Sequence, residues 1–205
     1  MSAHLYLEGG GDSKELHARC REGFRKLLER SSLQGRVPRL TACGGRDQAF
    51  RDFVRAQNAA ARGDYIALLV DSEDPVADIE QTWAHLAQRD GWPRPSGACD
   101  EQVLLMVTCM ETWLVADRGA LRRHYGVQLQ ETALPPLPDL ETRGRHLVQT
   151  ALAKGTRGGY RKGAESFKLL GELDPEALAA SLPSFARARR ILKQRLPQAR
   201  GPRPH

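Results

Sequence analysis

The sequence predicts an α/β fold, a mainly parallel sheet flanked by helices with a helical C-terminal region. Three observations carry that expectation. Short apolar runs alternate with amphipathic stretches from residue 4 to about residue 124, the pattern of strands joined by crossover helices. The run from Tyr65 to Val70 holds five consecutive apolar residues from Ile66, as a strand covered by helices on both faces requires. After Tyr125 the strand-like runs stop and helical periodicity continues alone.

His4 to Leu7 reads as the first strand, ending at Glu8 before three glycines and Asp12-Ser13. From Leu16 the apolar positions Leu16, Cys20, Phe24, Leu27 and Leu28 recur at helical spacing. Val37 to Ala42 is a second strand, which Pro38, lacking an amide donor, assigns to an edge or a strand start. Gly44-Gly45 turns the chain into a helix bearing Phe50, Phe53 and Val54 and ending near Gly63. The strand from Tyr65 ends on Asp71-Ser72-Glu73-Asp74-Pro75, and a helix from about Val76 to Arg89 follows, then a Pro/Gly loop. Gln102 to Cys109 is the next strand and runs directly into a helix from Met110 to about His124.

Pro135, Pro136 and Pro138 mark a loop, and three or four helical segments follow, interrupted by the basic, glycine-rich stretch from Lys154 to Gly163. The expected organisation is an α/β core over 1–126, a basic helical region over 127–196 packed on it, and a disordered Pro/Gly/Arg tail over 197–205.

With 40% hydrophobic and 27% charged residues in 205, the chain has material for a sizeable core, which excludes both disorder and a disulfide-stapled miniprotein. Its longest apolar runs fall far short of the roughly 20 residues of a membrane helix. The start, MSAHLYLEGG, lacks the basic and long apolar segments of a secretion signal. The expectation is a cytoplasmic protein with no membrane attachment. Its four cysteines and six histidines are dispersed, which argues for reduced thiols and against a thiolate or imidazole metal site. The net charge of +6 hides an asymmetry: beyond Thr142, 14 Lys and Arg face only Glu165, Glu172, Asp174 and Glu176, whereas the preceding part is net acidic. A basic region invites a polyanion and an acidic one a cation.

In an open parallel sheet, ligands bind outside the carboxyl ends of the strands. Here Glu8, Asp71 with Glu73, and Glu111 follow three strands. Converging carboxylates repel unless a cation compensates them, and oxygen-only ligation selects a hard ion such as Mg²⁺ or Mn²⁺. Beside a basic surface, that constellation suits metal-assisted phosphoryl transfer. Asp12 has two readings, a capping box with Glu15 or a second metal ligand. Glu73 and Asp74 compete for one place, and Glu73 is favoured because i and i+2 of an extended segment share a face. Glu111 is either a first-turn residue favoured by the helix dipole or part of the acidic site, while Trp113 reads as core.

Lys162, in Tyr160-Arg161-Lys162-Gly163, is the candidate cation for a phosphate, with Arg46, Arg157 and Arg161 as further nucleic-acid contacts. Arg187, Arg189, Arg190, Lys193 and Arg195 on the last helix read as a polyanion or partner surface.

The segment LYLEGGGDSKELHARC resembles the first motif of the topoisomerase-primase (Toprim) fold, a strand ending in Glu-Gly with an acidic residue opening the next helix. IALLVDSEDPV resembles its second motif, Asp-x-Asp, with Glu73 in place of the second aspartate. GGRDQAF, CMETWLVAD and the late Gly-Tyr-x-Lys-Gly segment followed by LLGELDP are similar to the domain-of-unknown-function 4276 family, a Toprim-like prokaryotic group, over about Leu5 to Leu196. The resemblance implies a Toprim-like core in which Glu8 is a general base or metal ligand and Asp71 a metal ligand. Relatives in the overcoming-lysogenization-defect group are metal-dependent nucleases paired with ATPases in phage defence. The resulting expectation is a Mg²⁺- or Mn²⁺-dependent nuclease, or nuclease subunit, acting on DNA or RNA with an ATPase as a possible partner. In that reading Glu8, Asp71 and Glu73 hold the metal, Asp12 and Glu111 serve a second site, and Lys162 aids phosphate binding. The alternatives are a non-catalytic partner subunit of an ATPase complex and a small-molecule phosphohydrolase of the same fold.

Overall fold

Every residue of the strand β3 (Tyr65–Asp71) is buried, and its side chains divide between two cores as the two-residue period of a strand dictates. Ile66, Leu68 and Val70 point to one side, Ala67 and Leu69 to the other. The computed structural model, which describes residues 2–196, surrounds this strand with β1 (Ala3–Leu7), β2 (Arg39–Ala42) and β4 (Val103–Met106). The sheet order is β2-β1-β3-β4 and all three pairings are parallel.

Parallel neighbours need crossovers, and helices provide them. α1 (Lys14–Leu28) links β1 to β2, α2 (Arg46–Ala59) carries the chain past β1 to β3, and α3 (Thr82–Asp90) links β3 to β4. Phe53 of α2 and Trp83 and Leu86 of α3 pack on Ile66, Leu68, Val70 and Leu105, forming the first core. Phe24 and Leu27 of α1 pack on the opposite face with Leu5, Leu7, Leu104 and Met106. The helices after β4 complete that second core: α4 (Met110–Ala116), α5 (Arg118–Tyr125), α6 (Arg145–Gly155), α7 (Ala164–Leu170), α8 (Pro175–Ser181) and α9 (Pro183–Arg195). They contribute Trp113, Leu152, Phe167 and Phe185 to it. Trp113 meets Phe24 and Phe185 edge-on, as a core residue does.

Several boundaries differ from the sequence expectation, each for a local reason. α3 begins at Thr82 rather than near Val76, because Asp78 accepts from the Glu80 amide at 2.9 Å and the Gln81 side chain at 2.8 Å, closing a turn that competes with helix. The helix expected from Met110 to His124 is two helices, broken at Asp117. Its carboxylate caps α5 through the Ala120 amide at 2.9 Å and binds the Asp174 amide at 2.7 Å, tying that break to the start of α8. β4 ends at Met106, short of Cys109. α1 is capped by Ser13, whose Oγ accepts from the Leu16 amide at 3.0 Å, so of the two readings of Asp12 the capping box does not form. β2, preceded by Pro38, is an edge strand. The tail expected to be disordered, 197–205, lies outside the described residues. Among the described residues no helix is long and apolar enough to cross a membrane, and the four cysteines are free thiols.

Candidate metal centre

β1 and β3 run in parallel with Leu7 opposite Leu69, so the residues that follow them emerge side by side. The Glu8 amide donates to the Leu69 carbonyl at 2.9 Å, and the Asp71 amide donates to Glu8 Oε2 at 3.0 Å. Asp71, the last residue of β3, is 6% exposed. Its Oδ1 accepts from the Met110 amide at the start of α4 at 2.8 Å, and its Oδ2 has no hydrogen-bond donor among the described residues. Glu73 arrives by a different route from the extended register expected of it: its φ is +69°, a left-handed turn, held by its amide on the Thr108 carbonyl at 2.8 Å. One carboxylate oxygen from each of Glu8, Asp71 and Glu73 lies within 4.8 Å of the others.

A dense ionic network surrounds this triad. Arg46 sits 3.5 Å from Glu8 and 2.6 Å from Asp90, with its guanidinium stacked over Trp92. Glu73 is paired with Arg145 and lies 3.5 Å from Arg89, which also binds Asp74 and Asp90. Glu111 is 1% exposed, accepts from the Tyr160 hydroxyl at 2.9 Å and the Gln149 amide at 3.3 Å, and stands 3.9 Å from the Lys162 ammonium. Six carboxylates (Glu8, Asp71, Glu73, Asp74, Asp90, Glu111) therefore share four cations (Arg46, Arg89, Arg145, Lys162), and Asp71 has no cation of its own within ion-pair distance among the described residues. Burial is the main reason the Asp71 carboxyl is pushed well above its ordinary range, and the charges of Glu8 and Glu111 push it further. Burial likewise raises Glu8, against the pull of Arg46. Two uncompensated negative charges in a half-buried cluster are relieved either by protons or by a divalent cation, and an all-oxygen donor set fits a hard one.

Glu8 and Asp71 line a cleft of about 420 Å³, and Glu73 does not. Gly9 to Gly11 and Gly44-Gly45 form its walls on the sheet side, and Lys162, Gly163 and Phe167 of the helical region form the opposite wall. The glycine walls hold together by reciprocal hydrogen bonds between Gly9 and Gly44 at 2.8 and 2.9 Å. Gly44 cannot be replaced without movement, since its φ is +76° and a Cβ there would press on the Gly11 carbonyl oxygen.

Residues 7–192 match the family described as "Domain of unknown function (DUF4276)". The chain belongs to the DUF4276 family. No curated protein and no solved structure matches it.

In this DUF4276 chain, the sequence-derived candidates fall into four groups. Glu8, Asp71 and Glu73 converge, with Glu111 buried behind Asp71 and both Lys162 and Asp12 on the cleft wall. Arg46 is enclosed and spent on Asp90, Glu8 and the Asp71 carbonyl, contacts that fix the ends of β1 and β3. Arg157 and Arg161 are exposed in the loop before α7.

The cations of α9 stand elsewhere. Arg187, 5% exposed, donates to the Val103 and Asp100 carbonyls at 3.0 Å and to Glu80 at 2.9 Å. Arg195 pairs with Glu101 at 2.7 Å, and Tyr65, the first residue of β3, also donates to the Glu101 carbonyl. These anchors mark the amino ends of β3 and β4: at a strand rise of roughly 3.3 Å per residue, Tyr65 lies about 20 Å from the acidic end and Val103, opposite Leu68, about 10 Å. Arg189 and Arg190 pair with Glu176 and Glu80, and Lys193 flanks Glu176. Arg145, Arg89, Gln149 and Tyr160 escaped the sequence reading. The first three carry no motif, whereas Tyr160 stands inside the Gly-Tyr-x-Lys-Gly segment.

Proposed function

We propose that this protein is a metal-dependent phosphodiester hydrolase, a nuclease or nuclease subunit with a Toprim-like site that uses Mg²⁺ or Mn²⁺. The observation that carries the reading is the convergence of Glu8, Asp71 and Glu73 at the carboxyl ends of adjacent parallel strands, with two negative charges left over. Glu8 and Asp71 would hold the ion first, since Glu73 enters the cluster with Arg89 and Arg145 already on its carboxylate. A bound divalent cation supplies Lewis-acid neutralisation of a phosphoryl oxygen and makes water a better nucleophile.

The chain's own residues supply the rest. Glu8, whose Oε2 accepts from the Asp71 amide, would turn its other oxygen to the cleft, either to hold the ion or, with the ion on Asp71 alone, to take a proton from attacking water. The Lys162 ammonium, 63% exposed and tethered among the described residues only by Glu111 at 3.9 Å, is free to swing onto a phosphate. Tyr160 and Gln149 hold the Glu111 carboxylate in place behind it. The prokaryotic setting of the family resemblance adds a cytoplasmic role in phage defence with an ATPase partner.

The test is cleavage of labelled single- and double-stranded DNA and RNA with Mn²⁺. Metal-dependent cleavage that Glu8→Gln and Asp71→Asn both abolish supports the proposal, and cleavage indifferent to either substitution overturns it. One observation favours a second reading, a small-molecule phosphohydrolase: Lys162, Gly163 and Phe167 close the cleft from the helical side. Hydrolysis confined to mononucleotides or simple phosphate esters decides for it.

A further inference from the structure

We propose that the groove between α6 and the turn at 133–135 binds single-stranded nucleic acid and leads it to the acidic cluster, an inference that rests on the phosphodiester reading above. The groove encloses about 530 Å³ and is lined by Leu134, Pro135, Arg143, His146, Leu147 and Lys154, among others. Arg143, His146, Thr150 and Lys154 recur three to four residues apart, and Leu147 and Ala151 fall between them at the same spacing, so one face of the helix presents both kinds of side chain.

The state of the cations distinguishes this face from the rest of the basic region. Arg187, Arg189, Arg190 and Arg195 are tied to Glu80, Glu176 and Glu101. Arg143, His146 and Lys154, which line the groove, have no ion-pair partner among the described residues. A row of unspent donors along a groove calls for an anion that extends along it, which a phosphodiester backbone does.

The apolar content narrows the ligand further. Leu147 is 51% exposed and lies with Pro135 and Leu134 beside the cations. A duplex hides its base faces in the stack, whereas a single strand offers them to apolar side chains.

Continuity with the acidic cluster gives the groove its direction. The Glu73 amide donates to the Thr108 carbonyl, and the Thr108 hydroxyl donates to the Arg143 carbonyl at 3.0 Å. Arg145, the first residue of α6, reaches Glu73 itself. From there to Lys154 the helix rises about 13 Å, so a strand on the groove has one end at the metal centre.

The experiment measures fluorescence anisotropy of a labelled oligothymidylate in metal-free buffer, on the Asp71→Asn chain. Arg143→Gln, His146→Gln and Lys154→Gln together are expected to weaken binding about tenfold or more and to flatten log affinity against log salt by about 1.4, at roughly 0.7 for each of the two permanent cations, Arg143 and Lys154. Arg189→Gln with Arg190→Gln should leave both unchanged. The double variant of His146 and Lys154, both exposed, carries the test if the substitution at Arg143 disturbs folding. The proposal is overturned if the α9 variant weakens binding as much, if a duplex of the same length binds as tightly, or if polyglutamate does, which would assign the groove to an acidic protein surface. Because no cleavage is measured, this outcome is independent of whether the chain proves to be a nuclease.

Discussion

Adding Mg²⁺ should stabilise the fold, and replacing Asp71 should remove the effect. Binding to the folded state alone stabilises by RT ln(1 + [L]/Kd). For a Kd of about 1 mM and roughly 10 mM Mg²⁺, this is about 1.4 kcal/mol. A chain of 205 residues gains roughly 2–4 °C of Tm per kcal/mol, so the expected rise is about 3–6 °C. Asp71→Asn keeps an oxygen for the Met110 amide but removes a ligand and a buried charge. Its metal-free Tm near neutral pH should therefore exceed that of the wild type, and its response to Mg²⁺ should vanish.

The sign of the pH dependence follows from the raised Asp71 and Glu8 carboxyls. A group whose folded pKa exceeds its unfolded value makes its contribution below the unfolded value, and that contribution is lost as pH rises through the folded one. Metal-free wild type should thus lose stability as pH climbs above about 4, the ordinary carboxylate range, until both groups ionise in the fold. The Mg²⁺ increment should grow over the same interval. Differential scanning calorimetry across pH, with and without Mg²⁺, measures both limbs. A wild-type Tm indifferent to Mg²⁺ and Mn²⁺, or an equal increment in the Asp71→Asn variant, would refute the metal centre.

Three further outcomes follow from the packing and the cleft. Gly23→Ala would gain about 1 kcal/mol of helix propensity in isolation, but a Cβ there meets the Phe167 carbonyl oxygen of α7. Urea unfolding should show net destabilisation, and a stabilised variant would contradict the close approach of α1 and α7. Arg187→Leu strips the buried Val103 carbonyl and the half-buried Asp100 carbonyl of a charged donor and should cost about 2–3 kcal/mol, a loss that chemical denaturation reads directly. Lys162→Ala should lower the metal-free Tm only slightly, as the side chain is mostly exposed although it faces the buried Glu111 carboxylate. In single-turnover cleavage with Mn²⁺ it should lower the rate more than the affinity, and a wild-type rate would return Lys162 to an ordinary solvated loop.

The α/β architecture was legible because it rests on local pattern. Five apolar residues from Ile66 can form only a strand covered on both faces, and the strand–helix alternation forces parallel pairing. Glu8 and Asp71 were legible for a related reason: both follow strands, and the carboxyl ends of parallel strands share one edge of the sheet. Where the chain reads alike but its side chains bind elsewhere, local pattern was insufficient. Asp78 and Asp117 each divert backbone amides and so shift or break a helix that periodicity extends. Glu73 joins the cluster through a left-handed turn pinned on Thr108 and not through strand register.

Charge was the least legible property. The basic residues of α9 and those on and before α6 look alike in sequence, yet the arginines of α9 meet Glu80, Glu101 and Glu176, which lie about 13 to 110 residues away along the chain, while Arg143, His146 and Lys154 meet no carboxylate among the described residues. Local sequence determines where a carboxylate or a guanidinium enters the fold. Whether its charge is spent or left for a ligand depends on which distant segment packs against it, because ion pairing acts through space and burial multiplies its strength.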